Sequence, residues 1–178
     1  MLYYFYVLPL WFVCFGIICA ILIWSKIMAM SERKQITITF DINGASSIGA
    51  TSKSCYAYNG STAGCSVTSP TITASSGFTV VGWNTSSSAT SNGWTANSAK
   101  TVTANTTYYA ITKSSSSVTV TFNANGANSI GSTSLTCYRY NGATSCNITS
   151  PTITAASGFT VVGWNTSSGA TSNGWTQN

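Results

Sequence analysis

The feature that most constrains this chain is that most of it is written twice. Residues 36–44 read Ile-Thr-Ile-Thr-Phe-Asp-Ile-Asn-Gly and residues 118–126 read Val-Thr-Val-Thr-Phe-Asn-Ala-Asn-Gly, an offset of about 82 residues. Ser69 to Ala74 recurs as Ser150 to Ala155, and Gly77 to Thr85 recurs unchanged as Gly158 to Thr166. Thr90 to Thr95 recurs as Thr171 to Thr176. Self-similarity at this period means one supersecondary unit copied in tandem, and it ranks above any local reading of secondary structure. The expected organisation is a hydrophobic segment with a basic flank at 1–34, a first unit at 35–111, a Ser-rich linker at 112–117 and a second unit at 118–178. The first unit runs past Trp94 into a strand-like stretch, Lys100 to Ile111, that has no counterpart before Asn178. The second unit is therefore expected to be a truncated copy, part of a longer array.

Each unit reads as β structure. Ile36, Ile38 and Phe40 alternate with Thr37 and Thr39, and Val118, Val120 and Phe122 alternate with their threonines, the period of a half-buried strand. Asn43-Gly44 and Asn125-Gly126 end these strands with turn chemistry. No helical periodicity follows residue 35. Thr, Val, Tyr and Trp suit a pleated surface, and six Trp, nine Tyr and seven Phe supply enough aromatic area for small cores. The expected core anchors are Phe40, Phe78 and Trp83 in the first unit and Phe122, Phe159 and Trp164 in the second.

The cysteines predict disulfides from spacing alone. Cys137-Tyr-Arg-Tyr140 leads into Asn141-Gly142 and then Ala143-Thr-Ser-Cys146. Asn-Gly favours a two-residue type I′ hairpin, and counting outward from it sets Cys137 opposite Cys146. As the third pair beyond the hydrogen-bonded closing pair, Tyr140 and Ala143, they would form a non-hydrogen-bonded pair with Cα atoms about 4.5 Å apart, within the disulfide range. The first unit has one more residue between its cysteines, and a three-residue loop over Asn59 to Ser61 again sets Cys55 opposite Cys65. Two such bridges imply an oxidising compartment.

Leu2 to Trp24 is an almost wholly apolar run of about 23 residues, long enough to cross a hydrocarbon core as a helix. It lacks the cationic start and small-residue cleavage site of a signal peptide, so an uncleaved membrane anchor is expected over residues 2–24. Cys14 and Cys19 lie within it and read as buried thiols. Lys26, Arg33 and Lys34 follow the run, and the positive-inside tendency would hold that flank in the cytoplasm. The disulfides demand the opposite orientation. The two signals conflict, and the cysteines decide for an extracellular, cell-surface location.

Composition excludes several function classes. Charged residues are 5% of the chain, with two acids (Glu32 and Asp41) and no histidine. No general base or converging acid pair can form within a unit, and Asp41 is replaced by Asn123 in the second copy, so no enzyme is expected. A closed tetrahedral metal site would need ligands from both units, and no cofactor motif is present. The net charge of +5 comes from cations that are scattered or flank the apolar run, not from a clustered phosphate-tracking face, so no nucleic acid partner is expected.

Val-Thr-Phe-x-x-x-Gly, then Gly-Phe-Thr-Val-Val-Gly-Trp, then Thr-Thr-Tyr-Tyr-Ala resembles the Listeria–Bacteroides repeat, the internalin B-repeat type, over residues 36–111 and 118–176. That resemblance implies small β-grasp-like modules strung along bacterial surface proteins and linked to adhesion. The fold class expected is thus mainly β, tandem β-grasp-like modules after an N-terminal transmembrane helix. The cysteine hairpin looks like an insertion relative to the usual form, and the chain carries less charge than the family. Two functions follow: a non-enzymatic stalk or adhesin array, or a module that binds carbohydrate or a host protein. The second would use the flat faces of Trp94, Trp175, Tyr56, Tyr58, Tyr138 and Tyr140. For Trp94 and Trp175, in Ser/Asn/Gly-rich loops, core and ligand face are weighed about evenly.

Overall fold

The computed structural model describes residues 19–22, 33–58 and 64–177. Residues 19–22 are helical. Among the described residues no helix is long and apolar enough to cross a membrane. The anchor expected over 2–24 otherwise lies outside them, as does the first unit's Asn59–Ser61 loop. Cys19, expected as a buried thiol, is exposed.

The first unit is built on a four-stranded mixed sheet. Its strands are β1 (Arg33–Asp41), β3 (Ser52–Tyr58), β6 (Phe78–Asn84) and β8 (Thr106–Ser114), in the order β3-β1-β8-β6. The two central strands, β1 and β8, run parallel, and each is flanked by an antiparallel neighbour. Two small antiparallel pairs complete the unit: β2 (Ser47–Ile48) with β5 (Ile72–Thr73), and β4 (Cys65–Thr68) with β7 (Ala99–Val102). β1 follows its period-2 pattern, with Ile36, Ile38 and Phe40 buried and Thr39 exposed. Its first residues, Arg33 and Lys34, pair with Tyr58 and Ala57, so they belong to the sheet and not to a basic flank before it.

The core lies under this sheet. Phe40 packs edge-on against Trp83 with ring centroids 4.8 Å apart, and Trp94 and Tyr108 close on it at 5.8 and 6.4 Å. The Gly-Trp dipeptide is explained by a β-bulge between Val80 and Gly82. Gly82 has φ +141°, and a Cβ there would lie 2.8 Å from the Trp94 carbonyl oxygen. Only glycine lets residues 92–94 come this close, so that Trp83 and Trp94 exchange backbone hydrogen bonds of 2.8 and 3.0 Å. The buried Trp83 indole Nε1 donates to the Pro70 carbonyl at 3.1 Å, which satisfies a polar group that would otherwise be costly inside. Ser69 Oγ donates to the Thr95 carbonyl at 2.8 Å and ties the same loop to the core.

The second unit repeats this chemistry on a more open frame. It has β9 (Val118–Thr121) paired with β11 (Ser134–Cys137), and β10 (Ser129–Ile130) paired with β12 (Ile153–Thr154). Trp164 Nε1 donates to the Pro151 carbonyl at 3.0 Å, Ser150 Oγ to the Thr176 carbonyl at 2.9 Å, and Phe122 packs on Trp164 at 4.8 Å. Among the described residues nothing stands beside β9 as β8 stands beside β1. Phe159 to Asn165, identical in sequence to β6, accordingly forms no extended ladder. Phe159, expected in the core, is 77% exposed, because its segment has no neighbouring strand to hold it. Phe78 is also not a core residue; it is half-buried at the start of β6, near Arg139.

The linker expected at 112–117 is shorter. β8 continues through Ser114, and Thr112 and Ser114 are fully or almost fully buried, so only residues 115–117 connect the units.

Candidate functional site

Both predicted disulfides form, Cys55 to Cys65 and Cys137 to Cys146, with Cα atoms 5.9 and 6.0 Å apart. Their setting differs from a ladder-bearing hairpin. Cys55 lies on β3 opposite Ile36 of β1, while Cys65 lies on β4 opposite Val102 of β7. The first bridge therefore ties the four-stranded sheet to the smaller pair, where Val67 and Val102 are buried against the core. Pairing β4 with β7 buries both valines, which pairing it with β3 alone would not explain. In the second unit Cys137 lies on β11 opposite Val118, and Cys146 belongs to no strand.

The turn between those two cysteines has the chemistry that its Asn-Gly pair demands. Asn141 and Gly142 have φ of 55° and 76°, and the Ala143 amide donates to the Tyr140 carbonyl at 2.9 Å. Two successive positive φ values are the mark of a type I′ turn. Beyond that closing bond, residues 139–141 pair with the end of β8 in the first unit. The Ser114 amide donates to the Arg139 carbonyl at 2.8 Å, and the Asn141 amide donates to the Thr112 carbonyl at 2.9 Å. Asn141 uses its whole side chain in the same place: Oδ1 accepts from the Thr112 amide at 3.1 Å and Nδ2 donates to the Ser87 carbonyl at 2.8 Å.

An open cleft of about 460 Å³ lies beside this junction. Ser88 and Thr90 of the first unit line one side; Tyr138, Tyr140, Asn147 and the Cys137–Cys146 bridge line the other. Among the described residues its lining contains no carboxylate, histidine or free thiol. Its chemistry is hydrogen bonding and ring contact, without an acid–base pair or a nucleophile activated by one.

The aromatic residues considered as ligand faces separate into distinct groups. Trp94 is 4% exposed and packed between Phe40 and Tyr108, so it offers no face to a ligand. Trp175 makes the same contact with Phe122 but is 38% exposed, because no described residue covers it as Tyr108 covers Trp94. Tyr56, Tyr58 and Tyr138 are exposed, and Tyr140 is half-buried in the cleft. Cations cover two of these rings: the Arg33 guanidinium lies 4.8 Å from the Tyr56 centroid, and Lys113 Nζ lies 3.5 Å from that of Tyr138. A stacking ligand would have to displace them, at a cost of roughly 0.5–1 kcal/mol at exposed sites.

Asn43 and Asn125 show why Asp41 and Asn123 are interchangeable. The Asn43 amide donates to Asp41 Oδ1 at 2.8 Å, and the Asn125 amide donates to Asn123 Oδ1 at 2.8 Å. The position needs an acceptor oxygen to close the turn, not a charge. Sequence reasoning missed Tyr108 as a core residue and all of the first-unit residues that meet the Asn141 turn. Only the Asn-Gly pairs signalled turns; no spacing indicates that one turn meets another.

A family profile of the Listeria-Bacteroides repeat domain matches residues 37–111 and again residues 119–178. The chain belongs to this family. The matched regions coincide with the two copies read from the sequence, and the cysteine turns fall inside them. Membership suggests a bacterial surface repeat protein. No curated protein and no solved structure matches the chain.

Proposed function

We propose that this is a non-enzymatic bacterial cell-surface protein whose repeats act as a stalk or adhesin array. The observation that carries this reading is the use made of the repeated residues. The Trp83 and Trp164 indoles, the Ser69 and Ser150 hydroxyls and the Asn43 and Asn125 turns all build the unit itself. What is copied is a scaffold, and copying a scaffold extends it. Disulfide closure supports an extracellular setting, since such bridges persist in oxidising compartments. Residues 2–24 are the proposed membrane anchor. The parallel central pair β1 and β8, flanked by antiparallel β3 and β6, supports a β-grasp-like assignment for the complete unit.

The cleft beside Asn141 favours a second reading, in which the units themselves recognise a glycan or a host surface protein through Tyr138 and Tyr140. Glycan and host-protein arrays probed with the oxidised full chain separate the two. Absence of binding at high protein concentration supports the scaffold. Binding that is lost in Tyr138→Ala/Tyr140→Ala would transfer the function to the cleft.

A further inference from the structure

We infer that the Asn43-Gly44 turn of the first unit is a docking socket for the disulfide-closed Asn141-Gly142 hairpin of the unit that follows, and that this contact fixes how the two units are joined. The inference deepens the scaffold reading and rests on it for its purpose, since a stalk projects only as far as its joints are stiff.

The two units supply an internal comparison. Asn43-Gly44 and Asn125-Gly126 have the same local conformation, with φ of 39° and 81° in one and 43° and 87° in the other. In both, the asparagine Nδ2 donates 2.9 Å to a serine carbonyl, Ser87 or Ser168. The difference is what lies outside. A Cβ built on Gly126 meets nothing within 4 Å, whereas one built on Gly44 collides with the Asn141 carbonyl oxygen and lies 2.6 Å from its carbon. Gly44 is therefore required twice, for its positive φ and for the close approach of the hairpin; Gly126 is required only for the first.

The socket reads the hairpin through backbone. The Ser87 carbonyl receives Nδ2 of both Asn43 and Asn141, so one oxygen joins the two turns. The last part of β8 receives residues 139–141 through a single antiparallel bridge, Lys113 with Tyr140, flanked by the backbone bonds of Thr112 and Ser114. The Arg139 guanidinium rests 5.8 Å from the Phe78 ring. This accounts for Phe78 lying at the joint instead of in the core.

Side-chain satisfaction is incomplete here. Among the described residues, the buried side-chain polar atoms without a protein partner are Thr112 Oγ1 and Arg139 Nε, both in the joint. Each lowers the net gain from docking. A joint of this kind needs its incoming turn already shaped, which is what the Cys137–Cys146 bridge provides. A dithiol would undo it by ordinary exchange: one thiolate attacks a bridge sulfur, and the second closes on the mixed disulfide. The chain gains two electrons and two protons as two thiols, and the dithiol leaves as its cyclic disulfide.

The test is amide hydrogen exchange on the full oxidised chain, comparing wild type, Gly44→Ala, Gly126→Ala and Cys137→Ala/Cys146→Ala. The reporters are the Ser114 and Asn141 amides, which cross the joint. The Phe40 amide, bonded to the Thr51 carbonyl, and the Phe122 amide, bonded to the Thr133 carbonyl, report on each unit alone. Gly44→Ala should speed exchange at Ser114 and Asn141 by at least about tenfold, with Phe40 and Phe122 retained and Gly126→Ala leaving the joint amides unchanged. The cysteine variant should reproduce the Gly44→Ala pattern. Equal effects of the two glycine variants on the joint amides would overturn the socket. Unchanged joint amides in the cysteine variant, or loss of the Phe122 amide with them, would overturn the role of the bridge in the joint.

Discussion

Replacing Gly82 by alanine tests the central structural claim, that the Gly-Trp dipeptide exists to let a second tryptophan segment close on the first. Two costs add. Gly82 sits at φ +141°, a region that residues with a Cβ scarcely populate, and holding alanine there costs about 1–3 kcal/mol. The new methyl would also lie 2.7 Å from Asn92 Cβ and 2.8 Å from the Trp94 carbonyl oxygen, and such overpacking costs typically about 1–3 kcal/mol. The sum is about 2–6 kcal/mol. A unit of about 75 residues holds on the order of 4–11 kcal/mol in total, so Gly82→Ala should remove about half of the first unit's stability. Gly93 provides the control. It lies in the same contact, yet a Cβ there comes no nearer than 3.7 Å to another atom, and its φ is outside the left-handed region. Gly93→Ala should change stability by less than about 1 kcal/mol. Urea unfolding of the full oxidised chain, followed by tryptophan fluorescence, gives both values under one set of conditions. If the two variants shifted the midpoint equally, close approach at Gly82 would not be what the motif secures, and the account of the bulge would be refuted.

Three further outcomes are expected. Removing the first bridge as Cys55→Ala/Cys65→Ala should destabilise the oxidised chain by about 2.7 kcal/mol, the loop-closure value for a separation of 10, read from the same urea curves with and without reductant; a wild-type midpoint indifferent to reductant would contradict it. Asp41→Asn should leave thermal stability within about 0.5 kcal/mol, whereas Asp41→Ala should lose about 1 kcal/mol with the Asn43 amide's acceptor, as calorimetry can establish. With no histidine in the chain, unfolding free energy should be flat between about pH 5 and 7, and a clear slope in urea midpoints over that window would count against it.

Much of this protein was legible in its residues. The alternation of Ile36, Ile38 and Phe40 with threonine determined a half-buried strand, because side chains on a strand point to alternate faces. Asn141-Gly142 determined its turn, because only such residues tolerate two positive φ values in succession. In the second unit the cysteine spacing determined which sulfurs meet, because the Asn141-Gly142 turn brings its flanks together whether or not they form a ladder. Local chemistry settles local geometry.

Tertiary structure decided the rest, and the clearest case is a segment present twice. Gly77 to Thr85 and Gly158 to Thr166 are identical, so intrinsic preference cannot separate them. The first copy is a strand because β8 supplies backbone partners from Phe78 to Asn84; the second has no such neighbour among the described residues and leaves Phe159 and Val162 exposed. Trp94 and Trp175 divide in the same way, one covered by Tyr108 and the other open. The joint follows the same rule, since Gly44 and Gly126 differ only in what the fold brings against them. A strand's hydrogen bonds and an aromatic ring's cover both come from elsewhere in the chain, and no stretch of sequence carries its own partner.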